Sequence, residues 1–440
     1  MKYILQILLM LLSVSAFAQK TILLTNVKIF NGKDNKTVNG HVLITDNVIT
    51  KISATPIPTN KSAMVTIIDG QGKFLMPGLI DAHVHTMFES IPMAVGLSSD
   101  VGYVNLVAAK AAEAQLLRGF TTVRDLGGAS FNLKRAIDEG IVKGPRIFPS
   151  GATISQTSGH GDFGTPTDVP KDNARPLSYI ERSGQTIVAD GVEQVLIRTR
   201  EQLRQGATQI KIMAGGGVSS AYDPLDVAQY TEEEINAAVR AAAGWNTYVT
   251  VHAYTPTAVQ SAIKAGVKCI DHGHLLDEAT AKLMAEKGIW WSLQPFMDDE
   301  DAVPFPEGSD SRRKYLEMVN GTDNAYKLAK KYNIKTAFGT DVLFDPKLAK
   351  RQGAQLAKLV KWYTPFEVLK MATSGNASLL EMCGPRNPYP KKLGVIEEGA
   401  YADLILVDGD PLANISLVAN PEKNFVLIIK NGEVIKNTIK

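Results

Sequence analysis

The sequence predicts an α/β protein: a (β/α)8 TIM barrel that carries a small β-sandwich built from both ends of the chain. Three observations predict it. Between roughly Phe74 and Gly384, short apolar runs alternate with stretches of helical spacing. The two ends, 19–73 and 392–440, are instead short strand-like runs broken by turn residues. Chemistry-bearing residues of the middle section fall where those apolar runs stop, and a barrel delivers all such strand ends to one face.

The elements follow in order. Lys2 gives a positive start, Tyr3 to Val14 is almost entirely apolar, and Ser15-Ala16-Phe17-Ala18 ends in an A-x-A pattern. Residues 1–18 therefore read as a signal peptide cleaved after Ala18. The run is shorter than the ~20 residues a membrane span needs. The expectation is an exported protein, periplasmic or secreted, with no membrane attachment after cleavage. Residues 19–73 hold Ile22-Leu23-Leu24, Val42-Leu43-Ile44 and Val65-Thr66-Ile67-Ile68, punctuated by Gly32, Gly40, Gly70 and Gly72. In 392–440, Asp403 to Val407 reads as a strand, and Phe425 to Ile435 folds over Asn431-Gly432, a strong two-residue hairpin signal. Each end is too small for its own core, so the two should pack together.

Residues 74–391 are the barrel. Expected strands are Gly78–Val84, Thr121–Arg124, Arg146–Pro149, Gln209–Met213, Tyr248–His252, Lys268–Asp271, Trp290–Leu293 and Thr336–Gly339. Expected helices include Val104–Leu117, Val195–Arg204, Glu232–Ala243, Ala279–Glu286 and Arg313–Lys331. A doubly wound sheet is the competing topology, but no G-x-G-x-x-G opens a helix. Ser155 to Asp190 is long, polar and rich in Gly and Pro, as functional loops often are.

Composition narrows the function. The 440 residues carry 47 Lys+Arg against 45 Asp+Glu, and 45% are hydrophobic. That balance argues against a nucleic-acid binder and against disorder. Two cysteines, Cys269 and Cys383, make no disulfide framework. The expected partner is a small molecule, and the sequence is compatible with a homo-oligomer.

Asp81-Ala82-His83-Val84-His85 is the strongest local motif. Side chains two apart on a strand point the same way, so His83 and His85 can share one ion. Alone, H-x-H is weak, and two solvated histidines are as good a reading. Other strand ends add weight. His252 closes Val249-Thr250-Val251, His272 closes Cys269-Ile270-Asp271, and Asp341 follows Ala337-Phe338-Gly339-Thr340. Lys211 sits inside Ile210-Lys211-Ile212. Taken singly, each histidine can be a satisfied core residue, Asp341 a helix cap and Lys211 an ion-pair partner. Coincidence of all of them at strand ends is the weaker reading. An ammonium inside an apolar strand is costly unless paired or neutralised. A neutral Lys211 amine can take up carbon dioxide and become a carbamate, an anionic ligand able to bridge two cations.

Pro77-Gly78-Leu79-Ile80-Asp81-Ala82-His83-Val84-His85, with Lys211, His252, His272, Asp341 and the stretch Leu393–Gly399 then Ala402-Asp403-Leu404, resembles the amidohydrolase superfamily over essentially the whole mature chain. Ser158-Gly159-His160-Gly161-Asp162, Tyr222 and Asp271-His272-Gly273-His274 resemble, more narrowly, its exported Xaa-Pro dipeptidase and carboxypeptidase-like members. The resemblance implies two divalent metal ions. His83 and His85 would hold the first, and His252 and His272 the second. Carboxylated Lys211 and a hydroxide would bridge them. Asp341 would bind the first ion and act as general base, then general acid. An imidazole-rich site suits zinc. His160 and Tyr222 are candidates for substrate contact, and both have ordinary surface roles as the alternative. His274 can orient a ligand, and His41 reads as structural.

The implied reaction is hydrolysis of a dipeptide or N-acyl amino acid with proline or an apolar C-terminal residue. A deaminase of the superfamily is a rival, but Thr255 stands where its glutamate is expected. A cyclic-amide hydrolase of the hydantoinase or dihydroorotase kind is another. Met87 stands where the dihydroorotase pattern has arginine. A periplasmic binding protein with an inactive site is the non-enzymatic alternative, discriminated by metal-dependent hydrolysis.

Overall fold

A computed structural model describes residues 20–59, 65–170 and 176–439. The expected signal peptide, 1–18, lies outside the described residues.

The N-terminal strands are β1 (Thr21–Phe30), β2 (Thr37–Thr45), β3 (Val48–Ser53), β4 (Val65–Asp69) and β5 (Phe74–Pro77). The central strands are β6 (Leu79–Val84), β7 (Phe120–Asp125), β8 (Arg146–Pro149), β9 (Thr153–Ser155), β10 (Thr186–Val188), β11 (Ile210–Met213), β12 (Val249–Ala253), β13 (Cys269–His272), β14 (Trp290–Leu293) and β15 (Thr336–Phe338). The last are β16 (Leu404–Val407), β17 (Phe425–Lys430) and β18 (Glu433–Asn437).

The two ends of the chain share one eight-stranded sheet, ordered β18-β17-β16-β5-β1-β2-β3, with β4 also on β1. It forks at β1, whose register shifts between Leu24 and Val27. Thr21–Thr25 pair with β4, and Lys28–Ile29 pair with β5. Alternating side chains put Ile22, Val42, Leu75, Leu404 and Leu427 into one buried cluster. The β17–β18 turn has Asn431 at φ 56° and Gly432 at φ 73°, the left-handed pair that the expected Asn-Gly hairpin requires.

The middle section is an α/β unit of parallel strands. One sheet runs β6-β7-β8 and the other β10-β9-β11-β12-β13-β14-β15. Their strands are buried almost throughout, as parallel strands covered by helices must be. Side chains bridge the seams between the two sheets. Gln209 donates to Phe148 O at 2.9 Å, joining β11 to β8. Asn376 donates to Ile80 O at 2.7 Å and Phe338 O at 2.8 Å, tying β6 to β15. The expected helices form at Val101–Leu117, Val192–Gln205, Glu232–Gly244, Glu278–Lys287 and Asp310–Lys331. β9 and β10 arise within the long Ser155–Asp190 region and just before it. They are three residues each, too short for a sequence pattern. Among the described residues, no helix is long and apolar enough to cross a membrane.

Candidate metal centre

Parallel strands carry five of the expected ligands toward one cavity. β6 supplies His83 and its end His85, β11 Lys211, β12 His252 and β13 His272, and Asp341 follows β15. All six line a cavity of about 400 Å³. Asp341 Oδ1 lies 3.2 Å from Nε2 of His83 and 3.1 Å from Nε2 of His85. Its other oxygen lies 4.0 Å from Nε2 of His272. One donor atom from each of His83, His85 and Asp341 falls within 4.8 Å of the others, a grouping that can hold a metal ion. The His252 ring meets that of His272 at 4.5 Å, and His272 meets His83 at 5.0 Å.

The opposite nitrogens of these imidazoles are engaged from behind. Gln294 takes Nδ1 of His272 at 2.8 Å through Oε1, and Asp271 Oδ1 faces Nδ1 of His83 at 3.5 Å. His85 Nδ1 faces Gly127 O at 3.4 Å, and His252 Nε2 donates to Gly216 O at 3.0 Å. That leaves the Nε2 atoms of His83, His85 and His272 turned to Asp341, the pattern by which outer partners orient metal-binding histidines. The donor set therefore fits a divalent cation.

The backbone is held in an uncommon conformation at two of these residues. His272 has φ 76° and Asp341 φ 52°, left-handed values that cost a non-glycine residue of order 1–3 kcal/mol. The surroundings enforce them. The Trp291 indole donates to His272 O at 2.7 Å, and Asp341 N–H donates to His83 O at 2.8 Å. Buried Asp81 accepts from His83 N–H at 3.0 Å and from the Thr340 hydroxyl at 2.7 Å, clamping both strand ends. Gly339 has no room for a side chain there, since a Cβ would sit 2.4 Å from that of His83.

The electrostatics follow from burial and from neighbours. Burial would raise the Asp341 carboxyl, but His83, His85 and His272 hold it well below the usual carboxylate range. Burial lowers His83, yet the charges of Asp341 and Asp271 together outweigh it and the group ends above the ordinary imidazole value. His252 is driven well below it by burial and by His160 and His272, and His272 by burial, with His83 and Lys211 also lowering it against the Asp341 charge. Burial also lowers Lys211, against the pull of Asp271, whose carboxylate lies 2.7 Å from the lysine nitrogen. That same carboxylate accepts from Arg124 at 2.8 Å and from the Thr250 hydroxyl at 2.7 Å.

His160 reaches the site. Its ring stacks on His252 at 4.2 Å, and its Nδ1 lies 2.7 Å from the Ser220 hydroxyl. Tyr222 does not reach it. It is 56% exposed and absent from the cavity wall, because the turn of Gly217 to Asp223 directs Ser220 and Asp223 inward and leaves Tyr222 facing solvent. Tyr254 and Tyr315 line the wall instead, and Tyr254 is buried edge-on to His252 at 5.0 Å and tilted against His272 at 5.1 Å. His274 does not face the centre through a bond to a ligand. It is buried and paired with Gln294 O at 2.9 Å. Gln294 and Arg124 carry supporting contacts that no local motif announced.

Known proteins share this arrangement of chain. The amidohydrolase family matches residues 74–439. Ochratoxinase of Aspergillus niger is 32% identical over 409 residues, covering 90% of this chain and 83% of that protein. A prolidase solved with N-methylphosphonate-L-proline is 35% identical with a TM-score of 0.86, over 95% of this chain and 100% of that one. A Xaa-Pro dipeptidase solved with methionine in its active site is 30% identical with a TM-score of 0.80, over 94% of this chain and 99% of that one. The chain belongs to the amidohydrolase family and is a hydrolase of amide bonds.

Proposed function

We propose that this protein is a binuclear metal-dependent peptidase or amidase. It cleaves dipeptides or N-acyl amino acids whose C-terminal residue is proline or another apolar residue. The observation that carries the reading is the convergence of Asp341 on the imidazoles of His83 and His85, inside a cavity also lined by His252, His272 and Lys211. His83, His85 and Asp341 would hold one cation, and His252 and His272 a second. Carboxylated Lys211 would serve both. The burial that lowers the Lys211 amine favours its neutral form, which adds to carbon dioxide and releases one proton. Arg124 already balances the Asp271 charge, so Asp271 does not require the lysine proton. Imidazole and carboxylate donors suit zinc.

Bound there, the cations would acidify a water and polarise the scissile carbonyl. Asp341, ionised in this setting, takes the proton of the attacking water and returns it to the leaving nitrogen. His160 faces the substrate side of His252, where it can donate to the carbonyl oxygen or grip a carboxylate. Two separate hydrophobic clusters reach the cavity: Phe88 and Phe344 from one, Val218, Tyr315 and Met318 from the other. Their presence supports apolar groups on both sides of the scissile bond. The seams bridged by Gln209 and Asn376 support reading the two parallel sheets as one closed (β/α)8 barrel. The fork at β1 supports a sandwich at the chain ends. Residues 1–18 would be removed on export.

The test is a library of dipeptides and N-acyl amino acids assayed with zinc-loaded protein, beside cyclic imides. Activity that clusters by an apolar C-terminal residue supports the reading. Hydrolysis confined to cyclic imides replaces it with a cyclic-amide hydrolase.

A further inference from the structure

Behind the cavity wall that carries His160 lies a charged group the chemistry above does not use. Lys314, in the helix Asp310–Lys331, is 1% exposed. Its ammonium has three N–H donors. Three backbone carbonyls face it: Gly217 O at 3.2 Å, Ser220 O at 2.9 Å and Asp223 O at 2.8 Å. The nearby Asp310 carboxylate, 3.7 Å away and mostly exposed, is a weaker contact.

All three carbonyls belong to one loop, and that loop holds His160. Ser220 Oγ lies 2.7 Å from its Nδ1, and Asp223 Oδ2 lies 3.5 Å from the same atom. Asp223 also accepts from Gly217 N–H at 2.8 Å, which closes the loop on itself. The imidazole packs directly on Gly217, where a Cβ would sit 1.8 Å from Nδ1. The residue before, Gly216, supplies the carbonyl that orients His252.

Burying an ammonium is expensive, and an apolar side chain of similar size would fill the space without that cost. What lysine adds is direction: three donors matched to three carbonyls that would otherwise be free to turn. We propose that Lys314 is a positioning residue. It fixes the 217–223 loop so that Ser220 and Asp223 hold the His160 ring stacked on His252. This rests on the reading that His160 contributes to substrate binding or turnover.

The test compares Lys314→Met, Lys314→Arg, His160→Ala and the double variants in the metal-loaded full chain. It measures kcat and KM on an N-acyl amino acid, metal per chain, and proteolysis within 217–223. Lys314→Met should keep its metal, become cleavable in the loop, and lose up to about 100-fold in kcat/KM, the scale of a small misplacement at a reacting centre. The loss should fall in the same parameter, kcat or KM, as that of His160→Ala. Combined with His160→Ala, it should add little. Lys314→Arg, which keeps the charge and several donors, should recover part of the loss. Losses that multiply in either double variant overturn the proposal, and the arginine pair decides this even if Lys314→Met does not fold. Wild-type kinetics in Lys314→Met beside an impaired His160→Ala also overturn it. Unchanged kinetics in His160→Ala overturn instead the reading beneath it.

Discussion

Lys211 and Asp271 sit 2.7 Å apart with both side chains almost wholly buried, and Arg124 reaches the same carboxylate from the other side at 2.8 Å. Burial lowers the lysine pKa against the pull of Asp271, and Arg124, the second cation on that anion, lowers it a little further. Carboxylation there, as proposed, would make Lys211 a metal ligand. Lys211→Ala should lower bound metal to well below two ions per chain, read by metal analysis after gel filtration. Full occupancy in that variant removes the bridging role.

Asp341→Asn tests the proton transfer. Asparagine keeps the size and one oxygen but accepts no proton. With His83 and His85 intact, the variant should retain much of its metal and lose kcat by ~10²–10⁴-fold, the usual worth of general acid–base catalysis. Near-normal turnover in a correctly metallated variant sinks the assignment.

The fold was largely legible because its signals are local. Each expected barrel strand forms within a residue or two, since a buried parallel strand is a short apolar run, and Asn431-Gly432 turns as its residue types dictate. The convergence of these side chains on one cavity was legible for a related reason: histidines and a lysine at the ends of such runs are rare. What stayed hidden depends on contacts between distant segments. Gln294 bridges His83 and His272 across 211 residues of sequence on one side, and no spacing rule announces a glutamine. Tyr222 was singled out for its place after a glycine loop. The direction of that loop is set by Lys314, nearly a hundred residues away, and it turns the ring outward.

Glu89 should give the protein a pH-dependent stability. It is 3% exposed, accepting from Gln115 at 3.0 Å and Arg118 at 3.1 Å. Burial outweighs Arg118 and pushes its carboxyl up to about 7, with Asp81 and Asp125 adding to the rise. The folded chain then binds this proton more tightly than the unfolded chain. Its contribution is complete below the ordinary glutamate value and is lost as pH rises through about 7. Between pH 5 and 9, wild type should lose up to about 3 kcal/mol relative to Glu89→Gln in urea unfolding. Parallel pH profiles for the two proteins remove the claim.

The two tyrosines separate the sequence-based expectation from the geometry. Tyr222 is 56% exposed, whereas Tyr254 is 3% exposed, lines the cavity and packs against both His252 and His272. A buried phenol beside these imidazoles can meet substrate, and burial raises its pKa well above the ordinary value. The hydroxyl therefore keeps its donor proton beyond the pH at which an ordinary tyrosine loses it. Tyr254→Phe keeps the ring packing and removes that donor, so kcat/KM should fall by about 10-fold or more, the cost of one lost hydrogen bond to a charge-bearing group. Tyr222→Phe should stay within about twofold of wild type, as surface changes do. Steady-state kinetics on one N-acyl amino acid decide between them. The reverse ranking means that the 217–223 loop turns Tyr222 inward when substrate binds.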